Sequence, residues 1–252
     1  MGATATFEFL GSLNDFPALS GRDSKLLYRF TGTPAVKDAI EAIGVPHPEV
    51  NVIMLNGLPV DFSQPLQAGD KVAVYPADAN REWPEGFSLQ ANHPAPDQFV
   101  LDVHLGKLAR ALRMLGFDTC YENDYSDKAI AHVAATEERV VLTRDVGLLK
   151  HKSIRWGYWL RSQHPDEQLA EVILHFNLKG KLHPFTRCLA CNGSIAEVPK
   201  DSVIAQLPPK TKLYFNEFYQ CESCKRVYWK GSHYERMQQF IQQQAQSLKS
   251  AE

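Results

Sequence analysis

Four of the five cysteines fall into two C-x-x-C pairs, Cys188/Cys191 and Cys221/Cys224. Each pair can chelate from a tight knuckle, and two knuckles together give tetrahedral sulfur ligation of zinc, Zn²⁺. The gap between the pairs suits a ribbon with strands between its knuckles. Four thiolates leave no open coordination position, so such a zinc holds a fold and does no chemistry. Four buried thiols or a redox pair are the plainer alternatives. The remaining Cys120 reads as a strand residue rather than a nucleophile. A second constellation is acidic. Asp102 follows the apolar run Phe99–Leu101, and Asp145 follows the run ending V-V-L-T-R. Ligands of open parallel sheets bind beyond the carboxyl ends of the strands, so both aspartates are expected on one rim. Asp127, behind Ser126 at a helix start, can turn toward the same rim. Three carboxylates suit Mg²⁺ or Mn²⁺ and the hydrolysis of phosphodiesters. Each also has a structural alternative, as a helix cap or a charge favouring a helix N-terminus. Lys107, Arg110 and Arg113 recur at three-residue steps beside Asp102 and are candidates to hold a phosphate backbone; a solvated helix face is the alternative. Arg144, with Trp229 and His233 in the run W-K-G-S-H, completes the candidate nucleic-acid contacts, an aromatic beside cations being suited to single strands.

The elements that must position these residues are legible in outline. Ala5–Leu10 and Leu26–Phe30 read as strands. Thr33 as N-cap and Pro34 at the first helical position open a helix with Val36, Ala39, Ile40 and Ile43 on its apolar face, ended by Gly44. Val50–Leu55, the turn Asn56-Gly57 and Leu58–Val60 form a hairpin, and Gly69-Asp70 turns into the strand Lys71–Tyr75. This order is that of a β-grasp domain over 1–77. Residues 78–98 hold three prolines, with Pro76 just before them, show no periodicity and read as an extended, semi-stiff linker. From 99 to 180 strands alternate with helices: Phe99–Leu101, a helix with Leu105, Leu108, Leu112 and Leu115 stopped by Gly116, Thr119–Tyr121, a helix capped by Ser126, Arg139–Leu142, Trp156–Leu160 and a helix over Asp166–Phe176. That alternation means a parallel α/β sheet. Residues 181–252 read as a small zinc ribbon followed by a glutamine-rich C-terminal helix.

Composition sets the class. The chain has 252 residues, 44% hydrophobic and 22% charged, which is ordinary for a globular protein and excludes a disordered regulator or a disulfide mini-protein. No apolar run is long enough for a membrane span, and no secretory signal is visible, so no membrane partner and a cytoplasmic location are expected. Residues 1–97 carry 12 acidic and 6 basic side chains, and residues 98–252 carry 17 acidic and 21 basic. An acidic part and a mildly basic part point to two domains with different partners, and the basic part permits a polyanion.

The stretches F-V-L-D-V-H-L-G-K-L-A-R-A-L-R-M-L-G-F-D-T and V-V-L-T-R-D-V-G-L-L, with P-F-T-R-C-L-A-C-N-G and F-Y-Q-C-E-S-C-K-R-V-Y-W-K-G-S-H-Y-E-R-M, resemble the C-terminal domain of the Mut-seven class of exoribonucleases. The resemblance runs from Phe99 to about Met237. It implies a PIN-like nuclease fold with a zinc ribbon and an acidic rim at Asp102 and Asp145, with Asp127 matching the helix-start aspartate of related PIN-like proteins. Those relatives often carry another aspartate two residues after Asp145, where this chain has Gly147. The stretch V-I-M-L-N-G-L-P-V-D-F to L-Q-A-G-D-K-V-A-V-Y-P is similar to the ubiquitin-like domain that bacterial members place in front, and to the small sulfur carriers of thiamine and molybdopterin synthesis. Sulfur carriage needs a free Gly-Gly terminus; here Pro76-Ala77 follows the last strand, so docking of a protein partner is the expected role.

The expected architecture is therefore α/β plus α+β: a ubiquitin-like β-grasp domain, then a PIN-like parallel-sheet domain with a C-terminal zinc ribbon. The expected function is metal-dependent hydrolysis of single-stranded RNA. A non-catalytic RNA- or ribosome-binding adaptor is the alternative.

Overall fold

The computed structural model describes residues 2–21, 25–77, 82–91, 97–231 and 239. The first elements in chain order are β1 (Ala3–Phe9), β2 (Lys25–Phe30), α1 (Val36–Ile43), β3 (Val50–Leu55), β4 (Leu58–Val60) and β5 (Lys71–Pro76). They form one sheet in the order β2-β1-β5-β3-β4, with β1 and β5 parallel at its centre and the other pairs antiparallel. That is the β-grasp arrangement. Asn56 and Gly57 both have positive φ, as the tight turn between β3 and β4 demands. Helix α1 buries Val36, Ala39, Ile40 and Ile43 and ends at Gly44, φ 127°. It starts later than the sequence predicts: Ala35, not Thr33, is the N-cap. Pro34–Ala35 pair instead with the loop before β5, and the carbonyls of Gln64 and Phe62 accept the free N–H groups of Val36 and Lys37. Backbone acceptors have replaced a side-chain cap.

The α/β elements follow: β6 (Gln98–Leu101), α2 (Gly106–Met114), β7 (Asp118–Cys120), α3 (Asp127–Thr136), β8 (Val140–Thr143), α4 (Val146–Leu149), β9 (Gly157–Trp159) and α5 (Pro165–His175). β6 pairs in parallel with β7, and β8 in parallel with β9, so this part of the chain is a parallel-sheet α/β domain. The ribbon comprises β10 (Ile195–Val198), α6 (Lys200–Val203), α7 (Pro209–Tyr214), β11 (Phe218–Cys221) and β12 (Val227–Trp229), its strands antiparallel in that order. The expected C-terminal helix lies outside the described residues. Among the described residues no helix is long and apolar enough to cross a membrane.

The chain forms two compact units, one of Met1–Pro96 with Asp124–Arg161 and one of Asp97–Asn123 with Ser162–Glu252. Within the first, the short turn His47–Glu49 is tied to the segment 150–161. The Glu49 carboxylate, 2% exposed, accepts the Trp159 N–H at 2.5 Å and pairs with Arg161 at 3.2 Å. The Arg161 guanidinium lies over the rings of Tyr158, Trp159 and Phe16 at 4.7, 5.3 and 5.6 Å. His47 bridges Glu41 and the Ile154 carbonyl at 2.6 and 2.7 Å, and Lys150 donates to the Glu41 carbonyl. The Glu41 carboxyl is itself held below its ordinary value: burial pushes it up, but the hydrogen bond and charge of His47 outweigh burial. The described part of the linker differs from the expected extended connector. It folds back on β3, with Leu89 donating to the Asn51 carbonyl, Ser88 to the Asn51 side chain, and Trp83 packed edge-on against Tyr75. Trp83 and Phe87 supply apolar area that proline counting does not register.

Removing one partner of a buried ion pair strands the other charge away from water. Arg161→Met is therefore expected to lower the unfolding free energy by about 3 kcal/mol, read from the urea midpoint.

Candidate metal centre and nucleic-acid interface

The cysteine knuckles are built from the ends of β11 and from the turns before β10 and β12. Their four Sγ atoms lie within 4.8 Å of one another, and among the described residues they are the one group of three or more potential ligands that comes together. Cys188 and Cys224 are 3.6 Å apart and Cys191 and Cys221 3.5 Å, with no disulfide. Tetrahedral zinc with bonds of about 2.3 Å needs sulfurs about 3.8 Å apart, so the cluster fits a metal ion such as zinc. Burial alone would raise the Cys188 thiol, but hydrogen bonds from the Tyr228 hydroxyl, at 3.0 Å, and from backbone N–H groups bring it down to about 6. Cys224 is raised to about 12: a backbone hydrogen bond at Arg226 lowers it, and burial with the neighbouring thiols outweighs that. Thiols this close cannot all ionise without a cation between them.

The first knuckle is pinned to the α/β elements of its unit. Arg113, only 5% exposed, donates through Nε to the Thr119 carbonyl at 2.9 Å and through Nη1 to the Ala190 and Leu189 carbonyls at 3.0 and 3.4 Å. Its placement corrects the sequence reading. Arg113 is not on the solvated face with Lys107 and Arg110 but is spent on backbone carbonyls, and it is no contact for a phosphate. Burial lowers its pKa, while Cys120, Glu122, Cys188 and Cys191 pull it back up. Asp118 adds an ion pair to Arg187 at 3.1 Å and accepts from Asn192 at 2.7 Å, while Asn192 accepts from the Thr119 N–H. Gly116, φ 96°, permits the chain to return: a Cβ there would lie 2.1 Å from the His183 carbonyl oxygen. Cys120 ends β7, half-buried, beside this cluster.

The aspartates are placed as follows. Asp102, half-buried, directly follows β6, and Asp145, exposed, follows β8 after Arg144. Asp145 caps α4, its Oδ1 accepting the Gly147 N–H at 2.7 Å, which leaves Oδ2 outside that bond. Asp127, exposed, opens α3 behind Ser126, whose hydroxyl accepts the Ala129 N–H. Lys107, Arg110 and Arg144 are exposed. Trp229 is half-buried against the ribbon core of Val203, Leu207 and Phe218, so its ring has a packing role in the sheet. His233 lies outside the described residues. What sequence reasoning missed is a groove of about 700 Å³ beside Arg110 and Trp229, which also takes in Arg187, Tyr219, Arg226 and Tyr228. The alternation R-V-Y-W-K over 226–230 was its available signal.

A ubiquitin-like sheet, a parallel α/β domain with carboxylates behind two of its strands, and a four-thiol ribbon make up the described chain. Comparison with known families names both parts. The Mut7-C RNAse domain model matches residues 97–241 and the Mut7-C ubiquitin model residues 2–82. The chain belongs to the Mut7-C RNase domain family. Solved structures similar to the N-terminal part include the small archaeal modifier protein 1 of H. volcanii, 21% identical over 30% of this chain and 98% of that one, TM-score 0.25. Another is the Haloferax volcanii HVO 2177 protein, 17% identical over 32% of this chain and 88% of that one, TM-score 0.26. No curated protein matches the chain at a significant level.

If Arg113 is structural, Arg113→Met should cost about 3 kcal/mol of stability in a denaturant titration, because buried carbonyls lose their donors. The exposed Arg110→Met should change it by less than about 0.5 kcal/mol.

Proposed function

We propose that the protein is a metal-dependent ribonuclease acting on single-stranded RNA, with the nuclease chemistry in residues 99–180 and a structural zinc ribbon in 181–252. The observation that carries this reading is the placement of Asp102 and Asp145 directly beyond the carboxyl ends of β6 and β8, in a chain of an RNase family. Their hard oxygen donors suit Mg²⁺ or Mn²⁺, and the Gly147 N–H on Oδ1 fixes the Asp145 carboxylate while leaving Oδ2 for an ion. Such an ion, when bound, supplies an activated water and stabilises the departing oxygen. Asp127 would be the third ligand; its negative charge is favoured in the first turn of α3. Lys107 and Arg110, one turn apart on α2, hold the phosphate backbone, with Arg144 and Trp229 flanking it; Arg113 supports them from below. Four thiolates close the zinc site, so zinc acts by holding the two knuckles. The ubiquitin-like domain docks a protein partner; the exposed Leu27 on β2 and Leu58 on β4 are its most accessible apolar side chains.

The cap that Asp145 supplies to α4 favours a second reading, an adaptor that binds RNA without cutting it. Cleavage of a labelled single-stranded RNA separates the two. The ribonuclease cuts with Mn²⁺ or Mg²⁺, and Asp145→Asn loses at least about a hundredfold in rate while retaining RNA affinity. A folded, zinc-loaded protein that binds RNA and never cuts it is the adaptor.

Metal analysis should find one zinc per chain, and Cys191→Ser should lose it. Protons compete with zinc for the four thiolates, so zinc and the stability it confers should be retained at neutral pH and released on acidification, measured with a chromogenic chelator.

A further inference from the structure

One face of the ribbon combines charge and aromatic surface in a way the aspartates do not use. In an antiparallel sheet, alternate residues of a strand and their direct cross-strand partners share a face. Arg226, Tyr228 and Lys230 alternate along β12 and its flanks, and Tyr219 of β11 lies directly opposite Tyr228. The opposing wall is Arg110 of α2 with the turn Pro184–Ala190, and together they enclose the groove of about 700 Å³. That volume takes a ligand of nucleotide size.

Four cations line the groove, Arg110, Arg187, Arg226 and Lys230, and among the described residues no acidic side chain does. Two of them are already engaged: Arg187 with Asp118 at 3.1 Å, and Lys230 with Glu217 at 2.5 Å. Arg110 and Arg226 are exposed and make no ion pair among the described residues. The aromatic floor is held in place. The Tyr228 hydroxyl meets Cys188 Sγ at 3.0 Å, and the Lys230 ammonium lies 5.8 Å from the centre of the Tyr219 ring. The rings are therefore presented by a sheet that the thiol cluster braces, and Arg110 and Arg226 line the same groove without an ion pair among the described residues.

We propose that this groove binds an unpaired nucleotide segment of RNA, with a base lying on Tyr219 and the flanking phosphates on Arg110 and Arg226. A flat ring beside free cations matches a base and its phosphates together; an acidic peptide would satisfy the arginines and leave the ring without a planar partner. A duplex buries its base faces in its own stack and cannot supply one. The proposal deepens the ribonuclease reading, on which its choice of RNA rests, by adding a binding subsite on the ribbon, apart from the carboxylates.

The test is fluorescence anisotropy of a labelled single-stranded RNA of about 12 nucleotides with the full-length, zinc-loaded protein and no added Mg²⁺ or Mn²⁺. Arg226→Glu and Tyr219→Ala should each weaken binding roughly tenfold or more, Tyr219→Phe should restore it, and Asp145→Asn should bind as the wild type does. Unlabelled duplex and poly-glutamate should not displace the RNA. Wild-type affinity in Arg226→Glu, or equal displacement by duplex or poly-glutamate, overturns the proposal. Because Arg226 is exposed, the charge reversal leaves the fold intact, which an unchanged zinc content and melting temperature verify. RNA held by the groove but never cut with Mn²⁺ would count against the nuclease alone; cutting undiminished in a protein whose Arg226→Glu variant binds normally would count against the groove alone.

Discussion

A guanidinium taken out of water must have its N–H groups met by acceptors, and Arg113 meets that demand where three segments converge. Thr119 belongs to β7, Ala190 and Leu189 to the first knuckle, and Arg113 itself to the last turn of α2. The helix can therefore be neither rotated nor withdrawn without leaving carbonyls and a charge unpaired. The ribbon owes its attachment in this unit to that constraint, with the Asp118–Arg187 pair and the Asn192 bridge as accessories. Arg110, one turn earlier on the same helix, is fixed as a result, and its direction toward the ribbon groove follows from the anchoring of Arg113.

Features with local causes were legible in the sequence. Asn56-Gly57, the Gly44 and Gly116 helix ends, the Ser126 cap and the two cysteine knuckles each depend on residues within a few positions of one another, and the structure has them all. What escaped depends on distant partners. Helical spacing groups Arg113 with Lys107 and Arg110, yet the acceptors that bury it lie 6 and 77 positions away. The start of α1 is decided by carbonyls of the loop that precedes β5, not by Thr33. Glu49 looks like any surface acid until Trp159 and Arg161 enclose it. The groove face was visible as an alternation of cation and aromatic, but only the pairing of Tyr219 with Tyr228 and the approach of Arg110 turn a pattern into a cavity.

The two ends of the chain differ in how charge is used. In the acidic N-terminal part, two carboxylates are committed inward: Glu41 to His47, and Glu49 to Arg161. In the basic part, several cations remain at the surface, where a polyanion can reach them.

The two units are interleaved along the chain, which crosses from one to the other at 96/97, 123/124 and 161/162. During synthesis the ubiquitin-like sheet emerges first, yet Glu49 waits 112 residues for Arg161. Neither unit can be completed before the other has begun, so the chain is not a string of beads that mature one after another. A protease cut or a gene fission at the proline-rich stretch would not release two finished halves: it would part the acid from its base.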